Sequence, residues 1–429
     1  MKRMVPEKAG FVGTKKPKLE IEDDGVEYEF DDPDQPVHTL PVLPPSNVIE
    51  NAVLLAENTY GLTEEQSTRT DLLVAEWGST YEINDTIGSG VFGNVFQVTD
   101  VEQKTKFALK VLKPLPDSRD VFNRETQIMK HISRVHHKNL VSIIQSGELT
   151  KATEKCTSLA ILMNLCGPSV FGVISNVRKD NPNGYITFPI PDIQKLGSQL
   201  VEAMKQLERM KVYHLDVKPE NIYFKKFDME VTTQAEEFGT KILLSDMNII
   251  VGDFGCSEFY KIAPNPAKKK SATVQTQNYR APEIIMGLPY NNKSDVWSVG
   301  CILYEMYSGE LLFYGNNYND TEFVQFAMMQ RVLCHQASPR MWREALKMKP
   351  SKVELSSEDV PYLKGRINKA SLKVQPLCTN LRKGDIAGAD LFAFLLYVFQ
   401  IDPADRPTFH EMSTHEFLAT IDNTAQVQE

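Results

Sequence analysis

His214-Leu215-Asp216-Val217-Lys218-Pro219-Glu220-Asn221 is followed, 37 positions after Asp216, by Asp253-Phe254-Gly255, and these two short stretches decide the fold. Either one alone reads as an aspartate in a turn, because Asp bonds readily to its own backbone there. Their order says more. Upstream of both lie a glycine-spaced stretch, Gly88-x-Gly90-x-x-Gly93-x-Val95, and a lysine in Ala108-Leu109-Lys110. Cations fixed in advance stabilise charge spread over a reacting polyanion without reorganising. Carboxylates and an amide oxygen suit a hard cation such as Mg²⁺.

A lone GxGxxG is weak evidence, since it also marks dinucleotide-binding folds. There it should open a helix and be followed some 20 residues later by an acidic ribose ligand. Here the glycines sit between two strand patterns instead. Val91, Gly93, Val95 and Gln97 share one face, and Phe92, Asn94, Phe96 and Val98 the other, which predicts a hairpin from Tyr81 onward. Taken alone, a plain glycine-rich hairpin fits as well as a flap over phosphates. The strand Phe107–Leu112 places Ala108, Lys110 and Leu112 on one face. A helix capped by Asp117 or Ser118 follows, with Val121, Glu125, Ile128, Ile132 and Val135 in one stripe. A carboxylate on an apolar stripe is costly when unpaired, and Lys110 on the neighbouring strand can compensate Glu125. Beyond Pro191 the signals turn helical, with Leu196, Leu200, Ala203, Met204 and Leu207 at three-to-four spacing, and the stretches around Trp297–Tyr307 and Leu391–Phe399 read likewise. A small strand-rich lobe precedes a larger helical one.

Composition sets the outer bounds. The chain's 429 residues exceed the roughly 250–300 at which one core stops growing, so at least two lobes or domains are expected. Residues 1–80 hold 7 basic and 16 acidic side chains, which accounts for the whole net charge of −9. The balanced remainder argues against nucleic-acid binding through an overall field. From Glu20 to Asp34 carboxylates dominate and prolines follow, so an acidic, disordered arm is expected over residues 1–75. Lys15-Lys16-Pro17-Lys18 reads either as a short nuclear import signal or as solvated tail charge, and residence in nucleus, cytoplasm or both is expected. The six cysteines, Cys156, Cys166, Cys256, Cys301, Cys334 and Cys378, form no CxxC pair, and with no secretory signal a reducing compartment is expected. The longest apolar run, Leu391–Phe399, is about half the roughly 20 residues needed to cross a bilayer, so it reads as a buried helix in a soluble protein.

The ordered set resembles the eukaryotic protein kinase motifs, with the likeness spanning about residues 77–420. It implies an α+β, bilobal fold: a strand-rich N-lobe at 76–163 with one main helix, a hinge at 164–166, a helical C-lobe at 167–420, and a tail at 421–429. By the same resemblance, Asp216 is the base that orients the acceptor hydroxyl, and Lys218 contacts the transferred phosphoryl group. Asn221 and Asp253 hold Mg²⁺, Lys110 grips the phosphates of ATP beside Glu125, and Thr276 braces base and lysine. Ile87, Gly88, Gly90, Gly93, Val95 and Ala108 cover the nucleotide, Met163 is the gatekeeper, Asn164 to Cys166 form the hinge, and Tyr223 is the floor. Tyr279-Arg280-Ala281-Pro282-Glu283 resembles the end of an activation segment, Asp295 a buried anchor, and Arg406 the partner of Glu283. Arg280 beside Ala281-Pro282-Glu283 is typical of the branch holding cyclin-dependent, mitogen-activated and dual-specificity tyrosine-regulated kinases, which implies Ser or Thr acceptors followed by proline. Within it, Tyr279–Tyr290 is similar to homeodomain-interacting protein kinases. Phe326–Leu333 and the long stretch Lys225–Asn248 instead suggest the LAMMER-type (CDC-like) kinases.

Several positions depart from the pattern. Leu215 replaces the arginine usual beside Asp216, so no guanidinium is available there to lock a phosphate on the activation segment. Thr273 stands where homeodomain-interacting relatives carry a self-phosphorylated tyrosine, with Gln277 in place of the arginine that reads it. Lys268-Lys269-Lys270 before Ser271 reads as a solvated loop, or as a dock for acidic substrates or the acidic arm. Tyr223 is larger than the aliphatic residue common at its place. The resemblance implies protein substrates, transcriptional regulators among the candidates, with no membrane or direct nucleic-acid partner and a monomeric state. The competing reading is a pseudokinase scaffold that recruits partners without phosphoryl transfer. Intact Lys110, Glu125, Asp216, Asn221 and Asp253 argue against it.

Overall fold

The computed structural model describes residues 72–90, 92–151, 157–182, 184–237, 239–260, 274–314, 321–347, 376–377 and 386–419. The chain divides into units of residues 1–54 and 55–429, and everything described belongs to the second. Lys15–Lys18, Val91, Cys156, Lys268–Thr273, Cys378 and the tail at 421–429 lie outside the described residues.

Six strands close into a barrel: β1 (Leu72–Ala75), β2 (Thr80–Ser89), β3 (Gly93–Asp100), β4 (Lys106–Leu112), β5 (Ile143–Lys151) and β6 (Thr157–Asn164), in the order β1-β2-β3-β4-β6-β5. Alternation drives the closure, because residues two apart on a strand share a face. Leu73, Ala75, Tyr81, Phe96, Val98, Leu109, Val111, Leu149, Ala160 and Leu162 fill the interior. β1 occupies the last residues of the stretch read as a disordered arm; Leu73 and Ala75 point into the barrel and supply the reason to order it. The predicted hairpin forms with Gly88 opposite Val95 and Ser89 opposite Asn94.

Helix α1 (Ser118–Ser133) packs beside the barrel and buries Phe122, Glu125, Ile128, Met129 and Ile132. Two expectations about it need correction. Asp117 makes no side-chain cap; Ser118 Oγ instead ties the entry, accepting from Leu115 N–H at 2.7 Å and donating to Lys113 O at 2.5 Å. Val135 falls outside the buried stripe and is 48% exposed, because the helix ends at Ser133 and His136 turns to φ 50°.

The second lobe is helical, as the spacing implies. It contains α2 (Val170–Asp180), α3 (Ile190–Arg209), α4 (Pro282–Ile285), α5 (Lys293–Ser308), α6 (Thr321–Val332), α7 (Pro339–Lys347), α8 (Ile386–Val398) and α9 (Phe409–Ser413). Its minor strands are β7 (Tyr185–Thr187), β8 (Val212–Tyr213), β9 (Ile222–Phe224), β10 (Val231–Glu236), β11 (Gly239–Leu244), β12 (Ile249–Val251) and β13 (Glu258–Phe259). Pro191 suits the first turn of α3, where its missing N–H costs nothing, and Leu196, Leu200, Ala203, Met204 and Leu207 are all buried. At roughly 1.5–3 kcal/mol per buried large apolar side chain, that face alone accounts for the helix's docking. α5 is buried almost all round, which is why its pattern shows no amphipathic stripe, and it stops at Gly309 with φ 77°. The long stretch Lys225–Asn248 holds the β10–β11 hairpin, whose β11 runs parallel to β7. Leu391–Phe399 is helical through Val398 and largely buried; among the described residues no helix is long and apolar enough to cross a membrane.

Candidate active site

The cleft side of the barrel sets the first group. Lys110 shares its face of β4 with Ala108, and both are buried. Its ammonium lies 2.6 Å from Glu125 Oε1 and 3.0 Å from Asp253 Oδ1, so strand periodicity, helix stripe and the Asp-Phe-Gly stretch meet at one nitrogen. Burial opposes the ammonium charge, yet the two carboxylates outweigh it and hold the lysine pKa above its ordinary value. Glu125 is pushed up, first by burial, against the pull of Lys110. Asp253 is held below the usual carboxylate range: Lys110, with the Gly255 N–H at 3.3 Å, overcomes the burial that would raise it.

A second group hangs from the start of α5. Buried Asp295 accepts from the backbone N–H groups of His214 and Leu215, each at 2.9 Å, fixing Leu215 at φ 63°. Such a conformation is costly for a branched residue and persists only when neighbours determine it. His214 Nε2 lies 3.1 Å from Gly252 O, which ties this loop to the residue before Asp253. Asp216 is then surrounded by donors. Its Oδ1 accepts from Thr276 Oγ1 at 2.7 Å and Thr276 N–H at 3.1 Å, while its Oδ2 lies 2.8 Å from Lys218 Nζ. Lys218 also donates to Thr276 Oγ1 at 2.9 Å, closing a triangle. Asn221 Nδ2 donates to Asp216 O at 2.8 Å, leaving its amide oxygen for other use.

The remaining sequence-predicted residues lie on the barrel strands around Lys110, just after β6, and on β9. Ala108 sits opposite Met163 across the β4–β6 pair, and Tyr223 of β9 is opposite Ile250 of β12. Met163 and Tyr223 are half-buried, and burial pushes the Tyr223 phenol pKa up. Asn164 is exposed, and burial pushes the Cys166 thiol up to about 11. Ile87 is 44% exposed at the barrel's lip. Of the three glycines, only Gly93 is sterically forced: a Cβ there would lie 2.5 Å from Val111 O, whereas Gly88 and Gly90 have room. Among the described residues no cluster of three or more His, Cys, Asp or Glu could hold a metal. The oxygens of Asp253 and Asn221 fit a Mg²⁺ ion that takes its other ligands from phosphates and water.

Three features were not read from the sequence. Gln275 is buried with φ 64°, its side chain bonded to Ser294 O, Ser298 Oγ and Ala281 N–H. Its carbonyl is taken by Arg280 Nη2 at 3.0 Å. Tyr279 donates to Glu305 Oε2 at 2.7 Å. Proximity to Thr276 is the only signal that could have singled these out. The expected scaffold pair is present: Arg406 bonds Glu283 through both nitrogens at 2.9 and 3.0 Å, fully buried.

A strand-rich lobe and a helical lobe, with a lysine–glutamate–aspartate cluster and an aspartate braced by a threonine and a lysine, define the class as a protein kinase fold. Residues 81–418 match the family model of the protein kinase domain, and the chain belongs to that family. Relatives include the dual specificity protein kinase CLK2 of Mus musculus, 29% identical over 359 residues, covering 81% of this chain and 66% of the relative. The serine/threonine-protein kinase AFC1 of Arabidopsis thaliana is 29% identical over 350 residues, covering 79% and 70%. The chain thus spans just under two thirds of the CLK2 relative's length. These relatives fit the LAMMER-type resemblance and do not show the homeodomain-interacting one. The crystal structure of PF14_0431, kinase domain, has a TM-score of 0.63 at 24% identity, covering 79% of this chain and 95% of its own, and shares the fold.

Proposed function

We propose that this chain is a serine/threonine protein kinase that transfers the γ-phosphoryl group of ATP to protein hydroxyls followed by proline. The observation that carries the chemistry is the Asp216–Lys218–Thr276 triangle facing Lys110 and Asp253. In this reading Asp216 orients the acceptor hydroxyl and accepts its proton as the new O–P bond forms. Lys218 and Lys110 hold the phosphoryl oxygens, and ADP leaves with the electrons of the broken P–O bond. Asp253 and Asn221 would hold Mg²⁺, which when bound would supply charge neutralisation along the phosphates. Aligning nucleotide and hydroxyl in one cleft is itself a large share of catalysis.

Proline direction is supported by Gln275. Its carbonyl, beside Thr276, is already bonded by Arg280, so it offers nothing to the backbone N–H of the residue after the acceptor. An ordinary residue there leaves its N–H unpaired, whereas proline has none to leave. Tyrosine as a second acceptor is the other reading, favoured by the dual-specificity names of the CLK relatives.

The test offers Mg·ATP and position-randomised peptide libraries containing Ser, Thr or Tyr to the purified chain. Incorporation into Ser and Thr, enriched several-fold by proline at the next position, is expected. Equal use of all residues there removes proline direction, and incorporation no greater than with Asp216→Asn favours the scaffold reading.

A further inference from the structure

Strand β13 and the residue after it are tied down at several points. Glu258 pairs with Tyr213 and Phe259 with Val212, and Tyr260 N–H donates to Lys211 O at 2.8 Å. The Tyr260 ring stacks on Tyr213 with centroids 4.1 Å apart and planes 26° from parallel. Lys211 Nζ stands 5.4 Å from the centroid of the same ring. From α1, His131 meets Phe259 edge-on at 5.3 Å, and its Nε2 lies 3.2 Å from Met210 O. Three elements therefore converge: the helix that carries Glu125, the strand that leads to Asp216, and the strand that follows Asp253.

Lys211 is the informative residue. Its φ of 59° lies in the left-handed region, where glycine is relaxed and lysine is not. Its ammonium sits over the Tyr260 ring, a cation–π contact that offsets part of that backbone cost. Leu215, meanwhile, supplies no cation for a phosphate on the activation segment.

We infer that Tyr260, clamped between Tyr213 and Lys211 and backed by Phe259 on His131, is a positioning residue that holds Asp253 and Asp216 in register with α1 without a phosphate on the activation segment. This rests on the kinase reading and adds to it what replaces the missing phosphate lock. Among the described residues the Tyr260 hydroxyl is buried without a hydrogen-bond partner, so the ring and not the oxygen does the holding.

The experiment treats the full chain with a broad-specificity protein phosphatase and compares it with Tyr260→Phe, Tyr260→Ala, Lys211→Arg and Lys211→Gly. It measures kcat and KM for ATP on a Ser/Thr peptide, and amide hydrogen exchange over residues 212–217 and 252–257. Treated wild type, Tyr260→Phe and Lys211→Arg should stay within about twofold in kcat, while Tyr260→Ala loses roughly tenfold at nearly constant KM and exchanges faster in both stretches. Lys211→Gly should lose several-fold in kcat despite its relaxed backbone. A roughly tenfold loss on phosphatase treatment of wild type, or Tyr260→Ala with kcat and exchange unchanged, overturns the clasp. Wild type that turns over no acceptor overturns the kinase reading instead, and the exchange comparison then decides the clasp alone.

Discussion

Lys110 shows how a single side chain links the two lobes. Nothing in its own strand requires a charge; two carboxylates from elsewhere, buried Glu125 and the more exposed Asp253, make the ammonium the cheapest occupant. Removing one member of such a cluster leaves the others uncompensated in low dielectric, which is worse than never having buried them. Lys110→Met should therefore do two things. It should cost about 3 kcal/mol of folding stability by leaving Glu125 and Asp253 as like charges, and it should reduce turnover at least 100-fold, on the order of a lost electrostatic contact to the reacting group. Denaturant unfolding and steady-state transfer check the two effects separately. A variant as stable as the parent would show that the cluster is less dry than its burial indicates. The Lys110–Glu125 pair was legible in the sequence because two independent periodicities, strand face and helix stripe, each put a charge where apolar neighbours lie. Val135 was misread for the complementary reason: the apolar spacing continues in sequence past the end of the helix at Ser133, which periodicity does not register.

At the scale of elements, α5 is the beam to which the loop carrying Asp216 and the turn from Gln275 to Tyr279 are fastened. Asp295 holds the loop, Ser294 and Ser298 hold Gln275, and Glu305 holds Tyr279. Burial raises the Glu305 carboxyl to about 7, with Tyr279 pulling it down and Glu220 pushing it further up. A folded-state pKa above the unfolded value means that the protonated form favours folding. That contribution is complete below about pH 4.5 and disappears as pH rises through about 7. Melting temperature should thus fall more between about pH 5 and pH 8 in wild type than in Glu305→Gln, whose neutral amide keeps an acceptor for Tyr279. Parallel pH profiles for the two proteins would mean that Glu305 is already ionised at pH 5. Asp295 was expected as an anchor through the resemblance, but the contacts of Gln275 and Glu305 were not visible beforehand. Gln275 and Glu305 carry no motif, and their contacts, like that of Tyr279 with Glu305, depend on how a turn and a helix come to rest on each other. The β10–β11 hairpin escaped for a similar reason, since its strand β10 is exposed and lacks the alternation that marks a strand with one buried face.

For the molecule as a whole, the order of a strand-rich part before a helical one was legible from periodicity, while the residues assigned to the cleft were named through the resemblance to protein kinases, because phosphate chemistry asks for cations, hard oxygen ligands and a base but sets no chain order. What holds those residues at the right distance was not, because packing of Tyr260 on Tyr213 or of Arg406 across Trp297 is a property of the assembled core. The central claim is that the far-separated groups act on one bound Mg·ATP, with Asp216 serving the acceptor and not the nucleotide. The most direct measurement is single-turnover transfer of the γ-phosphoryl group from Mg·ATP to a Ser/Thr peptide by wild type and Asp216→Asn, with ATP affinity determined on the same samples. Affinity should be equal within about threefold while transfer by the variant slows by about 10²–10⁴-fold, the range for loss of a positioned base. Transfer by Asp216→Asn at the wild-type rate, with affinity unchanged, would contradict that assignment.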